Sequence, residues 1–245
     1  RLKKGESVLV VGPGAITDEN GYTLYDKLCT ALEEELNIKE RPSRYRLFKL
    51  AEKLKKQRAG EAILLETVEK VYKAQHISKM AEKLAQIPFS LIISTTGDQM
   101  LKRAFEEQSI PHHAAFYNFN STPGEVEAPS IDKPLIYKLF GSIEEEDSLL
   151  LTHDNLYDFL FAILGSKQLP IEIRDELRTA RNFIFLGFDF EEWYLQIILR
   201  LFEIHNEKNS YAYAWHELNE ETLSFYSHKF KLDFINGRIP SFVDE

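Results

Sequence analysis

Val8-Leu-Val-Val-Gly-Pro-Gly-Ala-Ile16 is the stretch that decides the fold class of this chain. Its first four residues form a β-rich apolar run, which Gly12-Pro13-Gly14 closes with a tight turn. An amphipathic stretch follows at Tyr22 to Asn37, with leucines on one helical face. The order strand, glycine turn and helix is typical of the opening unit of a parallel α/β sheet.

The rest of the chain repeats this alternation. Buried strands are predicted at Phe89 to Ser94, Leu135 to Leu139, Asn182 to Leu186, Tyr211 to Trp215 and Leu232 to Ile235. Helices are predicted at Arg44 to Arg58, Glu61 to Gln75, His76 to Gln86, Leu156 to Leu164, Pro170 to Ala180 and Trp193 to Glu203. The pattern predicts a Rossmann-like α/β fold: a mostly parallel sheet with helices on both faces and a helical insert at about residues 20–86. We expect one domain over residues 1–245, and numbering from Arg1 is compatible with a segment of a longer multidomain protein.

Composition excludes several classes of partner. With 39 acidic and 30 basic residues the formal net charge is −9, which opposes binding to nucleic acid or to anionic membranes. Cys29 is the only cysteine, so no thiolate zinc cluster forms, and the chain fits a reducing compartment. No apolar run approaches the roughly 20 residues that span a bilayer. We expect a cytoplasmic protein.

Acidic residues at Glu144-Glu-Glu-Asp147 are the one candidate for a cation site. Carboxylate oxygens suit hard cations, but a metal loop needs ligands that converge, and four consecutive acids point in different directions. A solvated loop is the better interpretation, and no metal site is predicted.

Several turns are expected to meet at one edge of the sheet. Ser94-Thr-Thr-Gly97, Gly141-Ser142 and Gly187 each follow a predicted strand, as Gly12-Pro13-Gly14 does. The carboxyl edge of a parallel sheet is where such folds bind ligands. Each turn also has a structural interpretation, because Gly-Pro-Gly makes an ordinary tight turn and Asp189 is equally suited to capping a helix.

Five segments carry a family resemblance. They are Gly12-Pro-Gly-Ala-Ile16, Thr95-Thr-Gly-Asp-Gln99, Lys138-Leu-Phe-Gly-Ser142, Leu151-Thr-His-Asp-Asn-Leu-Tyr157 and Phe185-Leu-Gly-Phe-Asp-Phe-Glu-Glu-Trp193. In this order they resemble the sirtuin-like superfamily, in particular the bacterial domains of NAD-consuming antiviral defence proteins. The resemblance implies a site for NAD or ADP-ribose, and the residues that it assigns to this site are Gly12, Gly14, Thr95, Thr96, Gly141, Ser142, Gly187 and Asp189.

The same resemblance indicates that the catalytic side chains are missing. In the family an asparagine positions the nicotinamide ribose and the attacking water, an aspartate contacts the carboxamide, and a histidine acts as base on the ribose hydroxyl. The corresponding residues here are Gly97, Gln99 and Phe140. Because phenylalanine accepts no proton, loss of the base alone lowers the rate roughly a hundredfold or more. We therefore interpret the catalytic site as degenerate and assign no catalytic residue.

Three functions follow from this interpretation. The leading one is a non-catalytic sirtuin-like domain, a scaffold, sensor or interaction module in a bacterial defence protein, with protein partners or fused domains and with NAD or ADP-ribose as its ligand. The alternative is an active NAD glycohydrolase whose atypical catalytic residues are drawn from His112, His113, His153 and Asp154. The third is a purely structural domain, which the apolar Ile16 favours because it offers a ligand no hydrogen bond. An open cleft would favour ligand binding.

Overall fold

A computed structural model describes residues 6–204, 208–214 and 216–235. The described residues contain a seven-stranded, entirely parallel sheet. Its strands are β1 (Ser7–Val11), β2 (Leu91–Ser94), β3 (His113–Phe116), β4 (Leu135–Lys138), β5 (Asn182–Phe188), β6 (Asn209–Ala214) and β7 (Leu232–Phe234). The predicted α/β fold is confirmed, and every apolar run predicted as a strand forms one. Trp215, the predicted end of β6, lies outside the described residues.

Strand β3 is absent from the sequence prediction. It lies at one edge of the sheet and pairs with β4 alone, and its four residues are only partly buried or exposed. A short edge strand needs no continuous apolar run, so the pattern that marks the buried strands is missing there.

Helices cover both faces of the sheet, as predicted. The α-helices are α1 (Leu24–Leu36), α2 (Arg46–Lys55), α3 (Gly60–Lys73), α4 (Lys79–Gln86), α5 (Met100–Glu107), α6 (His153–Leu164), α7 (Ile171–Thr179), α8 (Leu195–Leu201) and α9 (Glu220–Phe230), and Glu146–Ser148 forms a 3₁₀ turn. Helices α5 and α9 were not predicted. Helices α6 to α9 pack on the face that carries Val8, Val10 and Phe183, and α4 and α5 pack on the face that carries Leu9 and Ile92.

The helices of the predicted insert divide between two hydrophobic clusters. Helices α1, α2 and α3 share a hydrophobic cluster of their own, which Leu149 and Leu151 of the segment after β4 complete. Helix α4 belongs instead to the sheet, because Ala81, Leu84 and Ala85 lie in the cluster on its face. The contacts with Leu149 and Leu151 hold the three-helix insert against the segment that leaves the carboxyl end of β4.

The strand order β3-β4-β2-β1-β5-β6-β7 places a switch point beside β1. From β1 the chain builds the sheet on the β2 side, and then returns to add β5 on the other side of β1. In open α/β sheets ligands bind outside the carboxyl ends of the strands at such a point. No helix in the described part of the chain is long and apolar enough to cross a membrane.

Candidate ligand-binding cleft

A cleft of about 500 Å³ opens between the three-helix insert and the carboxyl edge of the sheet. This volume lies in the range of small-molecule sites, which is roughly 300–1,000 Å³. The sheet contributes the turns after β1, β2, β4 and β5, while the insert contributes α1, Tyr72 of α3 and the segment 42–48. The predicted site residues that line it are Thr95, Thr96, Gly97, Phe140 and Asp189.

The glycine turn after β1 packs against Gly187, which lies near the end of β5. The Gly12 N–H donates to the Leu186 carbonyl at 2.7 Å, and the Gly14 N–H donates to the Gly187 carbonyl at 2.9 Å. A Cβ on Gly12 would lie 2.6 Å from the Gly187 oxygen, and one on Gly187, whose φ is +71°, would lie 2.0 Å from the Ala15 nitrogen. Glycine is therefore required here for the close approach of β1 and β5. Gly12 borders a second cavity of about 40 Å³, whereas Gly14 and Gly187 line neither cavity.

The turn after β2 forms one wall of the cleft. Thr95 directs both its N–H and its hydroxyl to the Val11 carbonyl, at 2.9 and 3.3 Å. Thr96 lies 3.0 Å from the Ser94 hydroxyl, Oγ to Oγ. A Cβ on Gly97 would lie 2.3 Å from Cδ2 of Leu149, so a side chain at this position must displace that leucine.

Phe140 forms an aromatic part of the wall at the end of β4. Its ring meets Phe159 edge-on at 5.2 Å between centroids and Tyr194 at 6.1 Å. Edge-to-face geometry at these distances is favourable for aromatic pairs, so the ring is held by its neighbours. The position that the resemblance assigns to a base is occupied here by a packed hydrocarbon ring.

Gly141 and Ser142 lie behind this wall and line neither of the two cavities. Gly141 has a φ of +83°, and a Cβ there would lie 2.0 Å from the Ser148 carbonyl oxygen. The buried Ser142 hydroxyl accepts hydrogen bonds from Lys138 Nζ at 3.1 Å and from Gln99 Nε2 at 3.2 Å. Burial lowers the pKa of Lys138 to about 8, although the negative charges of Glu144 and Asp98 act to raise it.

Asp189 lies in the turn that follows β5. Its Oδ2 accepts a hydrogen bond from Nε of Arg44 at 3.1 Å, and Arg44 also pairs with Glu191. Its Oδ1 accepts from the Glu191 N–H at 3.0 Å. Helix α8 begins only at Leu195, and its first turn has no side-chain cap. Asp189 therefore stabilises the preceding turn rather than the helix, and it joins the sheet to the insert segment that carries Arg44.

Glu192 is a cleft residue that the sequence prediction did not assign to the site. Glu192 lines the cleft together with Tyr45, and its Oε2 is buried without a hydrogen-bond partner. Burial, and then the charge of Asp189, raise the pKa of Glu192 to about 7. The sequence signal that could have identified Glu192 is its position, because it follows β5 closely, as Asp189 does.

The residues proposed as replacement catalysts do not line the cleft. His112 and His113 lie at the amino end of β3, the opposite edge of a parallel sheet, where His112 Nδ1 is 2.9 Å from the Ile110 carbonyl and His113 pairs with Glu127. His153 and Asp154 begin α6, and His153 Nδ1 is 2.6 Å from Glu52 Oε1. Within the described ranges, His216 is the histidine that lines the cleft.

The acidic run at 144–147 is tied into local structure. Lys102 Nζ contacts Glu144 Oε1 at 2.7 Å, and Glu146 and Asp147 lie in the 3₁₀ turn. Among the described residues, no group of three or more histidine, cysteine and acidic side chains is arranged to hold a metal ion.

Comparison with protein families identifies the family of this domain. A family model described as a SIR2-like domain matches residues 90–235, from the segment before β2 to the end of β7. The match includes β2, β4 and β5, which are followed by Thr95, Phe140 and Asp189, whereas β1 and the three-helix insert lie outside it. No curated protein matches the chain.

Proposed function

Because the chain belongs to the SIR2-like domain family, we propose that it binds NAD or ADP-ribose in the cleft and does not hydrolyse it. The observation that carries the proposal is an open cleft of about 500 Å³ at the switch point of the sheet. A purely structural domain needs no such opening, since native interiors are close-packed. Phe140 in its wall supports the non-catalytic part, because an aromatic hydrocarbon cannot take a proton from a ribose hydroxyl.

Hydrolysis by the alternative route has weaker support. Its candidate catalytic residues are two histidines at the opposite edge of the sheet and two residues at the start of α6, and none of them lines the cleft. They are His112, His113, His153 and Asp154. A general base must come within hydrogen-bond reach of the proton that it removes, directly or through one water. Binding without turnover is therefore the function that the geometry supports best.

The test combines ligand-induced stabilisation with an assay of turnover. ADP-ribose and NAD should raise the melting temperature, because a ligand that binds only the folded state stabilises it by mass action. Nicotinamide release from NAD should stay at background. Thr96→Tyr places a ring into the cleft and should remove the stabilisation, whereas Thr122→Tyr, at an exposed loop position, should keep it. The absence of any shift at millimolar ligand contradicts binding, and robust nicotinamide release contradicts the non-catalytic assignment.

We also propose a sensor, scaffold or interaction role, in the cytoplasm and within a bacterial defence protein, with protein partners or fused domains. A binding site without turnover is suited to sensing, since occupancy persists until the ligand dissociates. Exposed apolar side chains on α6 support binding of a protein partner, because Phe161 is 79% and Leu164 is 55% exposed. Light scattering of the wild type and of Phe161→Glu would show whether this face carries self-association; equal masses for both would remove that support.

A further inference from the structure

The hydrogen-bond donors expected to hold a diphosphate are already in use. The N–H groups of Gly12, Gly14 and Ala15 all donate to backbone carbonyls, at 2.7 to 3.1 Å. A phosphate cradle needs such groups to point at the ligand with no other partner. The turn after β1 therefore builds the junction with β5 and leaves these three donors unavailable to a phosphate.

The cationic side chains of the cleft are also paired. Arg44 binds Asp189 and Glu191, and Arg46 Nη2 lies 2.7 Å from Glu33 Oε1. A diphosphate would have to compete with these carboxylates for both guanidinium groups. Competition of this kind lowers the affinity for phosphate, because each displaced carboxylate must be solvated again.

Among the described residues that line the cleft, one buried side-chain atom lacks a hydrogen-bond partner, and it is an acceptor. This atom is Oε2 of Glu192, a residue of the cavity wall. A buried polar atom without a partner costs about 1–3 kcal/mol, and more when it is charged, so a donor that reaches it gains a strong hydrogen bond. The surrounding wall is aromatic, with Phe140, Phe188 and Tyr194.

We propose that the cleft binds the nucleoside part of its ligand rather than the diphosphate, and that Glu192 accepts a hydrogen bond from a sugar hydroxyl through Oε2. The inference rests on the proposed function, and it specifies which part of the nucleotide is recognised. An aromatic wall stacks against a base or a sugar face, and the carboxylate fixes the orientation of the hydroxyl. Glu192 is thus a specificity-determining residue of the cleft.

Recognition by Glu192 makes binding dependent on pH. The ionised carboxylate is the acceptor, and its pKa of about 7 means that it is mostly protonated one unit below this value. The charged and titratable groups around it are Asp189 of its own turn, Arg44 and Tyr45 of the insert, Tyr25 of α1, the neighbouring Tyr194 and Tyr226 of α9. His216 also lines the cleft and must be tested separately.

The experiment is calorimetric titration of the full chain with ADP-ribose. The wild type should bind about tenfold more weakly near pH 6 than near pH 8, following the ionised fraction of a carboxyl with a pKa near 7. Glu192→Gln should weaken binding about tenfold near pH 8 and remove the dependence on pH. His216→Gln should retain that dependence, and Glu107→Gln, an exposed control at the end of α5, should match the wild type. Inorganic pyrophosphate at millimolar concentration should not displace ADP-ribose.

The outcomes separate this inference from the proposed function. If the wild type binds neither ADP-ribose nor NAD, both are wrong. If the wild type binds and Glu192→Gln changes neither the affinity nor its pH dependence, the inference alone is overturned. Displacement by pyrophosphate also overturns it, because the diphosphate would then carry the binding. Glu192→Met, of similar volume, repeats the test if the glutamine variant does not fold.

Discussion

Replacing Glu192 with glutamine should stabilise the protein, and the gain should depend on pH in a defined way. Folding raises the pKa of this carboxyl from 4.5 to about 7, mainly because it is buried and then because Asp189 is near. The folded state therefore binds the proton more tightly than the unfolded state. Between these two pKa values the unfolded chain has lost a proton that the folded chain keeps, so folding stability falls as the pH rises through this window.

The size of the effect follows from the shift. Each pKa unit corresponds to about 1.36 kcal/mol, so a shift of this size sets an upper limit of about 3 kcal/mol. Glu192 is only partly buried, and solvent screening reduces the penalty to about 1–2 kcal/mol. Glutamine keeps the shape of the side chain and can accept a hydrogen bond, but it carries no charge. The variant should equal the wild type near pH 4.5 and exceed its stability by about 1–2 kcal/mol above pH 7.

Urea unfolding of both proteins across this pH range measures the difference directly. Comparing the two proteins at each pH cancels the contributions of the other carboxyl groups, provided that they do not couple to position 192. Glu107→Gln, whose exposed side chain lies outside the cleft, supplies a control that should give a flat difference. A difference between Glu192→Gln and the wild type that is also flat from pH 4.5 to pH 8 would refute the burial argument.

Two further predictions concern the turns at the edge of the sheet. Gly187→Ala should lower the free energy of unfolding, measured in urea, by at least about 2 kcal/mol, because the new Cβ would lie 2.0 Å from the Ala15 nitrogen and φ is +71°. Gly124→Ala, with open space around the new Cβ, should be close to neutral, and equal stabilities of the two variants would refute the argument. The triple variant Gly97→Asn, Phe140→His and Leu149→Ala, in which the alanine gives the asparagine room, should show both new polar side chains facing the cleft in a crystal structure, close enough to contact one ribose. Side chains in separate positions would show that the motif alignment is wrong.

The strands were predictable where burial on both faces leaves a continuous apolar run. Leu91–Ser94 and Leu135–Lys138 are buried throughout, and both form strands where the sequence places them. His113–Phe116 was not predictable because an edge strand with partial burial needs no such run. Helix α4 shows a different limit: its helical spacing was correct, but the sequence could not tell whether its apolar face meets the insert or the sheet. The strand order is likewise set by contacts between distant segments, which local patterns do not record.

The predicted glycine motifs lie close to the cleft, but most of their glycines do not line it. A glycine is required where two backbone segments come too close for a side chain, and at Gly12 and Gly187 these segments are β1 with its turn and β5. Of the turn at this junction, Pro13 lines the cleft and the glycines do not. The side chains that line the cavity come from several segments, because Glu192 follows β5 whereas Tyr45 lies in the insert. Oε2 of Glu192 is buried there without a hydrogen-bond partner. No local pattern encodes an unpartnered oxygen. The turns therefore reveal where a ligand site can lie, while its chemistry becomes visible only when the insert is placed over them.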